Sequence, residues 1–523
     1  MEEGMKRSLK NLFAKTPIDV LSEIPDIAIS GIALDSRKVQ SGQIFAALSG
    51  GQTDGHRFIS QAIANGAVVV VGNQPDISSD VPYVQIKGDT RQALAYLAAA
   101  YYDFPARKMT VIGVTGTDGK TTTTNMIYHI LLKAGIKAGM ISTVNAVIGE
   151  EVLDTGFHVT TPEAPEIQHY LARMVAAGVT HVVLETTSHG LMQERVTACD
   201  YDLAVITNVT HEHLDYHGSY QAYLEAKGKL FESLAQTPKK AHGNIRAAVL
   251  NKDDRSYAYL KRASPDDQIS YSMMHEATLW AQEVENTPAE LRYICHSADF
   301  IVQVKTPLIG IYNVSNSLAA LAATVLRLNV PVEIALQALA EMPNVPGRME
   351  RISLGQDFNV IVDFAHTPNG LFRALETARG LTSERVIVVF GSAGLRDRKK
   401  RRMLPQVAIE FADLTVLTAE DPRTESLNEI LADMAAGAEL KGGVEGQNFW
   451  RIPDRGEAIR FALNKAQAGD LVIVCGKGHE QSMCFGNTEH PWDDRTAVRA
   501  GLSELLNIEG PAMPYLPTQD AVS

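Results

Sequence analysis

The chain contains few cysteines, few tryptophans and no long uninterrupted apolar run. Its four cysteines lie far apart or at a spacing unlike that of a zinc ribbon, which excludes a metal knuckle and a disulfide framework. No apolar run has the length of a membrane-spanning helix, and the N-terminal stretch MEEGMKRSLKNLF lacks the apolar core of a secretion signal. We therefore expect a cytoplasmic protein with reduced thiols and no membrane span.

The chain also has fewer basic than acidic residues: 48 Lys and Arg and 61 Asp and Glu give a net charge of -13. This balance argues against a nucleic-acid partner, although an acidic protein can still bind a small anion in a local basic pocket. The apolar fraction of 45% excludes a disordered chain. At 523 residues, a prior of about 150 residues per domain predicts roughly three domains.

Short apolar runs alternate with helical patterns along three segments, and we predict domains at 1–106, 107–342 and 343–523. In the second and third segments, runs such as THVVLETTS, RVIVVFGSAG and DLVIVCGKGHE end in polar or glycine residues. This rhythm predicts parallel α/β sheets, whose ligands gather at the carboxyl ends of the strands. The proline-containing tail from Gly510 is expected to be a loose end.

The stretch GVTGTDGKTTTTN, residues 113–125, follows an apolar run and combines a glycine turn with Lys-Thr-Thr. Backbone N–H groups of such a turn bind phosphate oxygens, a lysine adds positive charge, and a threonine hydroxyl binds Mg²⁺. The alternative is an ordinary glycine turn with an exposed lysine. We predict an ATP site that includes Gly116, Thr117, Asp118, Gly119, Lys120, Thr121 and Thr122.

This variant of the phosphate loop resembles that of the Mur ligase family. LETTSHGLMQERV (184–196) and TNVTHEHLDYHGSYQAYLEAKGKLF (207–231) resemble two further stretches of the same family. The resemblance implies an enzyme that joins an amino acid to a carboxylate at the expense of ATP. It also implies an α/β fold of three domains, in which a central P-loop parallel-sheet ATPase domain lies between an N-terminal α/β uridine-nucleotide domain and a C-terminal Rossmann-like α/β domain.

The resemblance also implies two Mg²⁺ ions at the catalytic centre. Thr121 and Glu185 would hold one ion, while His213 and a carbamylated Lys227 would hold the other, with Lys120 as the remaining catalytic residue. Taken alone, a lysine on a helix is usually a solvated charge and a histidine is usually structural.

Further ATP contacts follow from the resemblance of GIYNVSNSLAA, GRME and VDFAHTPNGL to family stretches. Asn316 is expected near adenine, Asp363 near the ribose, and Arg348 and His366 near the phosphates. In isolation, these stretches read as a helix start and a strand-to-turn corner, so each has a purely structural alternative.

Residues 33–67 resemble the N-terminal domain of the family members that add the third residue to the peptidoglycan stem. The implied reaction joins a diamino acid to UDP-N-acetylmuramoyl-L-alanyl-D-glutamate, with ATP and small-molecule substrates as the only partners of a monomer. The residues implied to bind the UDP-substrate are Ser36, Thr160, Thr161, Thr187, Gln193 and Arg195.

The identity of the diamino acid depends on the third segment. By resemblance, Arg396, Arg423, Gly476 and Glu480 match positions that bind meso-2,6-diaminopimelate, with Arg423 binding its distal carboxylate. The family pattern D-N-P-R is E-D-P-R here, so Asp421 would neutralise Arg423 or attract an ammonium group. Diaminopimelate is preferred, while lysine and ornithine stay open. Two further alternatives are a ligase like folylpolyglutamate synthetase and a nucleotide-binding regulator without turnover.

Overall fold

A computed structural model describes residues 6–49, 54–154, 161–210, 214–287 and 290–518. The chain divides into two compact units: unit 1 comprises Met1–Leu279 and Ala319–Ala335, and unit 2 comprises Trp280–Leu318 and Leu336–Ser523. Within the described ranges, no helix is long and apolar enough to cross a membrane.

Unit 1 contains a small N-terminal sheet and a larger sheet, each flanked by helices. Its strands are β1 (Arg7–Ser8), β2 (Ala28–Ile29), β3 (Gly31–Ala33), β4 (Gln43–Ala46), β5 (Val69–Gly72), β6 (Tyr83–Gln85), β7 (Thr110–Thr115), β8 (Ala138–Ile141), β9 (Asn145–Ile148), β10 (Glu151–Asp154), β11 (His181–Glu185), β12 (Leu203–Ile206), β13 (Ala247–Asn251) and β14 (Gln268–Ser272). Its helices are α1 (Leu9–Ala14), α2 (Ile59–Ala64), α3 (Thr90–Tyr101), α4 (Lys120–Lys133), α5 (Ala164–Ala176), α6 (Ser188–Met192), α7 (Leu214–His217), α8 (Tyr220–Gln236) and α9 (Tyr257–Ala263).

The N-terminal sheet of unit 1 is parallel, and the larger sheet is parallel from β8 to β14, with β9 and β10 added antiparallel at its end. The N-terminal sheet has the order β3-β4-β5-β6, and the larger sheet runs β10-β9-β8-β11-β7-β12-β13-β14 within this unit. β7 lies between β11 and β12, is parallel to both, and has all six residues buried. Continuous burial is expected of a parallel strand that is covered on both faces. The loops that follow β7, β11 and β12 therefore leave the sheet at one edge.

Three elements contain a boundary between the units: β15 (Leu279–Asn286), α10 (Tyr312–Thr324) and α11 (Val332–Ala340). The segmentation of the sequence did not anticipate β15 or the antiparallel pair that follows it, β16 (Leu291–Ser297) and β17 (Ile301–Thr306). In β16 and β17, buried residues alternate with more exposed ones, which is typical of a sheet with one solvated face.

The rest of unit 2 is a second sheet of predominantly parallel strands, in the order β18-β19-β23-β20-β21-β22, with a separate two-stranded hairpin, β24-β25. Its strands are β18 (Glu350–Arg351), β19 (Asn359–Asp363), β20 (Val386–Phe390), β21 (Leu414–Leu417), β22 (Phe449–Arg451), β23 (Leu471–Cys475), β24 (Ser482–Phe485) and β25 (Thr488–Pro491). Its helices are α12 (Pro368–Leu381), α13 (Arg398–Phe411), α14 (Leu427–Glu439), α15 (Arg455–Lys465) and α16 (Asp494–Leu506). Four apolar runs of the third segment form β19, β20, β21 and β23, in the order NVIVDFAH, RVIVVFGSAG, DLTVLTAEDPR and DLVIVCGKGHE. These four strands are contiguous in the sheet.

The expectation of a loose C-terminal tail is wrong for the described part of the tail. Leu516 is fully buried in the core that also contains Trp492. The hydroxyl of Thr518 donates to the carboxylate of Asp454 at 2.7 Å. Proline content signalled the absence of regular structure, but it did not reveal that an apolar side chain anchors the segment. The four cysteines are buried free thiols.

Candidate active site

The phosphate loop joins β7 to α4 with a backbone that requires glycine. Gly116 and Gly119 have φ values of 150° and 81°. A Cβ at Gly116 would lie 1.8 Å from the Oγ1 of Thr207, the residue after β12. Only glycine therefore lets the loop pass this close to the neighbouring strand end.

Contacts from the loop after β12 hold the phosphate loop in place. The amide of Thr117 donates to the carbonyl of Asn208 at 2.8 Å, and the amide of Asp118 donates to the Oδ1 of Asn208 at 3.0 Å. The Nζ of Lys120 donates to the carbonyl of Thr117 at 2.7 Å. The predicted catalytic ammonium thus lies against the loop, while Thr121 and Thr122 are buried in the first turn of α4.

Glu185 ends β11 and brings a buried carboxylate to the first turn of α4. Its Oε1 accepts from the hydroxyl of Thr121 at 3.1 Å, and its Oε2 accepts from the amide of Thr143 at 2.9 Å. A carboxylate and a hydroxyl are the hard oxygen ligands that Mg²⁺ takes beside phosphate groups. The adjacency of these two side chains therefore fits the predicted metal site, although the described residues contain no cluster of three or more His, Cys, Asp or Glu side chains suited to a metal.

Lys227 projects from α8 to the backbone of the phosphate loop. The side chain is 1% exposed, its Nζ donates to the carbonyl of Gly116 at 2.7 Å, and the same atom lies 4.4 Å from the ring centre of Tyr223. The structure thus places Lys227 at the loop rather than in solvent. The proposed metal partner His213 lies outside the described residues, so its position relative to Lys227 stays a prediction.

Four of the predicted UDP-substrate residues come together beside Glu185. The hydroxyl groups of Thr161 and Thr187 are 3.0 Å apart, and Thr161 also donates to the carbonyl of Glu185 at 3.2 Å. Arg195 donates to the carbonyl of Thr161 at 2.8 Å and to the Oε1 of Gln193 at 2.6 Å. These contacts place hydroxyl, amide and guanidinium groups next to the predicted metal ligand.

The two remaining UDP-substrate predictions have different outcomes. Ser36 lies in the N-terminal part of unit 1, where its hydroxyl donates to the Oε1 of Gln61 at 2.7 Å. Thr160 lies outside the described residues, and its predicted role is unchanged. The predicted place of Ser36 at the uracil end of the substrate stays a prediction.

In unit 2, two predicted nucleotide residues pack around the ring of Phe364. The guanidinium carbon of Arg348 lies 4.5 Å above the ring centre, and the His366 ring lies 4.6 Å from it. The ring of His479 is 4.9 Å away on another loop. Sequence reasoning missed Phe364 because an aromatic residue after a strand reads as core.

A close backbone approach explains how these loops meet. A Cβ at Gly347 would lie 2.2 Å from the backbone of Gly478 and His479. Asp363, the predicted ribose ligand, accepts from the amides of Met349 and Ala365 at 2.7 and 2.9 Å. Its carboxylate therefore joins two loop segments.

Asn316, the predicted adenine neighbour, is buried in α10. Its Nδ2 donates to the Oδ1 of Asn313 at 2.8 Å, and Asn313 in turn donates to the carbonyl of Ile309 at 2.8 Å. These contacts orient the amide of Asn316 within unit 2, and its contact with adenine remains a prediction.

Two of the predicted amino-acid residues of unit 2, Asp421 and Glu480, contact a buried lysine that sequence reasoning did not single out. The Nζ of Lys477 contacts the Oδ1 of Asp421 at 2.9 Å and the Oε2 of Glu480 at 2.6 Å. The amide of Cys484 also donates to the Oδ1 of Asp421 at 2.9 Å. Lys477 stands between two glycines directly after a strand, which is the signal that would have marked it.

Arg423 is held by its backbone and leaves its guanidinium available. Its amide donates to the carbonyl of Cys484 at 3.0 Å, and its carbonyl accepts from the amide of Gly486 at 2.8 Å. Across the described residues, no carboxylate forms an ion pair with this half-buried side chain. The exposed loop residue Arg396 lies next to Leu395, in the segment whose Gly394 amide donates to the carbonyl of Asp421 at 3.0 Å.

Glu420 places a second buried carboxylate beside the predicted ligand Gly476. The residue is 8% exposed, and among the described residues its Oε2 has no hydrogen-bond partner. A Cβ at Gly476 would lie 2.4 Å from this oxygen, so glycine leaves the room that the carboxylate occupies. Burial raises the pKa of Glu420 to about 7. The sequence drew attention to E-D-P-R but not to the role of its first residue.

Comparison with known proteins identifies the family. Three family models match: the Mur ligase family, catalytic domain, at 28–102; the Mur ligase middle domain at 114–324; and the Mur ligase, glutamate ligase domain, at 347–478. A UDP-N-acetylmuramoyl-L-alanyl-D-glutamate–2,6-diaminopimelate ligase of Geobacillus kaustophilus is 42% identical over 480 residues, which cover 92% of this chain and 96% of the relative. The chain belongs to the Mur ligase family. The predicted α/β fold class and ATP-dependent ligase activity are thereby confirmed.

Further comparisons give the same family. A UDP-N-acetylmuramyl-tripeptide synthetase of Roseiflexus sp. is 42% identical and covers 91% of this chain and 95% of its own length. A solved structure of a UDP-N-acetylmuramoyl-L-alanyl-D-glutamate–2,6-diaminopimelate ligase has a TM-score of 0.66 at 31% identity, with 96% and 100% coverage of the two chains. A Mycobacterium tuberculosis folylpolyglutamate synthase, at 14% identity and a TM-score of 0.60, with 80% of this chain and 96% of that chain covered, shares the fold alone.

The raised pKa of Glu420 predicts a specific pH dependence of stability. Because the folded state binds this proton more tightly than the unfolded state, stability falls as pH rises from about 4.5 to about 7. Glu420→Gln imitates the protonated carboxyl group and removes that loss. The free energy of unfolding of the variant, relative to wild type, is expected to rise across this window by up to about 3 kcal/mol and then stay constant.

Urea unfolding at several pH values between 4.5 and 8 measures this effect. Glu439→Gln, at an exposed position at the end of α14, is the matched control and should show no such trend. A stability difference between Glu420→Gln and wild type that is independent of pH would contradict the assignment of a buried, readily protonated carboxyl group.

Proposed function

We propose that this Mur ligase adds meso-2,6-diaminopimelate to UDP-N-acetylmuramoyl-L-alanyl-D-glutamate in peptidoglycan biosynthesis. The reaction consumes ATP and releases ADP and phosphate. Relatives of nearly equal length that carry the name of this activity support the proposal. The roles of individual residues given below are part of the proposal.

The observation that carries the choice of amino acid is the state of Arg423. Its guanidinium has no ion pair among the described residues, while the neighbouring carboxylate of Asp421 binds Lys477. An arginine in a half-buried site is suited to bind a substrate carboxylate through two parallel hydrogen bonds. The distal carboxylate of diaminopimelate supplies that group, whereas lysine and ornithine do not.

The first chemical step activates the substrate carboxylate. An oxygen of the D-glutamate side-chain carboxylate attacks the γ-phosphorus of ATP, a new P–O bond forms, and the bond to the β-phosphate oxygen breaks to release ADP. Lys120 and the amides of the phosphate loop offset the negative charge that develops on the transferring group. Thr121 and Glu185 would hold one Mg²⁺, and His213 and a carbamylated Lys227 would hold a second. The two ions would neutralise phosphate charge.

The second step forms the amide bond. The amine nitrogen of the diamino acid attacks the acyl carbon, the bond to the phosphate oxygen breaks, and the nitrogen loses a proton. Arg423, Asp421, Gly476, Glu480 and Arg396 bind and orient the diamino acid for this attack. Glu480 accepts an ammonium hydrogen of the substrate while Lys477 holds its carboxylate in place. Correct placement of two bound reactants supplies a large part of the rate enhancement in such a reaction.

A carbamylated Lys227 fits the contacts of its nitrogen. Carbamylation joins carbon dioxide to Nζ with loss of two protons and converts a cation into an anion. The modified nitrogen keeps one hydrogen, so the hydrogen bond to the carbonyl of Gly116 can persist. The new carboxylate then supplies the oxygen ligands that an ammonium group lacks.

The alternatives differ in their expected products. Transfer of lysine or ornithine would use the same site with a different partner for Arg423. A folylpolyglutamate-like ligase would extend a different acceptor, and a regulator would bind nucleotide without turnover. Incubation of the enzyme with ATP, UDP-muramoyl-dipeptide and each diamino acid separately, followed by mass spectrometry, identifies the diamino acid that is joined. The folylpolyglutamate-like ligase and the regulator both predict that no UDP-tripeptide forms. The expected product is the diaminopimelate-containing UDP-tripeptide.

Substitution of Arg423 tests the choice of amino acid. Arg423→Ala leaves the distal carboxylate unpaired, so the KM for diaminopimelate should rise roughly 30-fold or more, about 2 kcal/mol. The KM values for ATP and for the UDP-substrate should stay close to those of wild type. Arg402→Ala, which removes an exposed arginine paired with Asp433, is the matched control.

Asp421→Asn sharpens this test because the amide oxygen can still accept from Lys477 and from the amide of Cys484. Use of diaminopimelate should be retained or improved, since a competing negative charge is removed. The opposite result has two parts: wild type prefers lysine or ornithine, and Asp421→Asn loses this preference. That result would show that Asp421 selects a basic substrate.

Substitution of Lys227 tests the carbamate. Lys227→Ala should reduce turnover by at least about 100-fold, because a metal ligand is lost, and acetate or formate should restore part of the activity. Wild-type enzyme treated with isotope-labelled bicarbonate should show a carbamate carbonyl signal by NMR that Lys227→Ala lacks. Lys229→Ala, which alters an exposed lysine on the same helix, should behave like wild type. Full activity of Lys227→Ala would contradict the metal role.

A further inference from the structure

Arg455, the first residue of α15, is fully buried and makes four directed hydrogen bonds. Its Nε and one terminal nitrogen each donate to the carboxylate of Asp494 at 2.7 Å. Its terminal nitrogens also donate to the carbonyl of Ala419 at 3.1 Å and to the carbonyl of Cys475 at 2.8 Å. A rigid guanidinium fork thus connects one carboxylate with two backbone carbonyls.

The two carbonyls belong to the strand ends that carry the proposed amino-acid site. Ala419 directly precedes Glu420 and Asp421, and Cys475 directly precedes Gly476 and Lys477. The strands β21 and β23 are not neighbours in the sheet, because β20 lies between them. Ladder hydrogen bonds therefore do not join these two ends directly, whereas the guanidinium of Arg455 does.

The support of Arg455 extends to the hairpin and to the C-terminal segment. The indole Nε1 of Trp492 donates to the Oδ1 of Asp494 at 2.8 Å. Asp454 caps α15 by accepting from the amide of Glu457 at 2.8 Å, and it also accepts from the hydroxyl of Thr518 at 2.7 Å. Both networks converge on the start of α15, where Arg455 lies.

We propose that Arg455 is a positioning residue for the diamino acid, and that Trp492 and the C-terminal segment around Thr518 act on the same site through it. The inference rests on the proposed function, since it concerns the site to which that function assigns the diamino acid. Arg455 sets the separation between Asp421 and Arg423 on one loop and Gly476 and Glu480 on the other. It does not touch the substrate.

A purely structural buried ion pair predicts a different pattern of defects. Arg385 and Asp470 form an ion pair at the other end of β20 and β23, in which Asp470 is buried and Arg385 is half-exposed, with contacts as short as 2.6 Å. Arg385 directly precedes β20, and Asp470 directly precedes β23. The two carbonyls bound by Arg455 belong instead to Ala419, which follows β21, and to Cys475, which ends β23. Arg385→Lys is therefore the matched control for the loss of an Arg–Asp pair without disturbance of the carboxyl strand ends.

The experiment compares wild type with Arg455→Lys, Arg385→Lys, Trp492→Phe and Thr518→Val. Each is measured for Tm and for separate KM values for diaminopimelate, ATP and the UDP-substrate. Arg455→Lys should raise the KM for diaminopimelate on the order of 10-fold or more, since small displacements of a positioned group have large effects. Its other two KM values should be unchanged. Trp492→Phe and Thr518→Val should show the same selective rise at smaller size, and Arg385→Lys should lower Tm alone.

The inference is overturned if Arg455→Lys folds and its KM for diaminopimelate is unchanged, or if all three KM values rise together. If Arg455→Lys does not fold, the folded Trp492→Phe and Thr518→Val variants decide: a selective rise supports the inference, and unchanged KM values overturn it. A wild-type enzyme that forms no UDP-tripeptide with any diamino acid contradicts the proposed function instead.

Discussion

Parallel pairing of β7 with β11 and β12 brings together the loops from which the phosphate site is built. The register aligns Val114 with Glu185 and Thr115 with Ile206. The segments that follow these strands therefore emerge side by side, and the amide of Thr186 and the amide of Thr207 extend the pairing by donating to Val114 and Thr115. Glycine at 116 follows from this arrangement, because the neighbouring strand end occupies the space of a side chain. The position of the phosphate loop thus depends on backbone hydrogen bonds made by the residues next to it.

Unit 2 uses the same strand-end geometry but relies more heavily on buried cations. Arg455 joins the base of two loops, and Lys477 joins their outer parts through Asp421 and Glu480. Buried charges cost solvation free energy, so they persist where partners and geometry are well matched. In this unit they connect strand ends that the sheet itself leaves one strand apart.

The meaning of Asp421 changes when its surroundings are included. In the linear sequence, Asp421 lies two residues before Arg423, so its negative charge is expected to neutralise the guanidinium. In the folded chain, the same carboxylate accepts from Lys477 and from the amide of Cys484. The local arrangement therefore pairs the Asp421 carboxylate with Lys477, while the guanidinium of Arg423 forms no ion pair with a carboxylate of the described residues.

The sequence by itself determined the phosphate loop, the parallel α/β pattern and the family, because these depend on residues close together in the chain. Gly116, Lys120 and Thr121 lie within one turn, and each parallel strand is a short apolar run with a polar end. The domain boundaries and the roles of individual site residues remain predictions. Only the tertiary structure showed that Arg348 and His366 pack on the ring of Phe364 and that Lys477 binds Asp421. It also showed that Arg455 links two strand ends and that Leu516 anchors the C-terminal segment. These contacts join residues that are distant in sequence or whose local pattern is that of ordinary core, and side-chain packing across strands leaves no periodic signal in the chain.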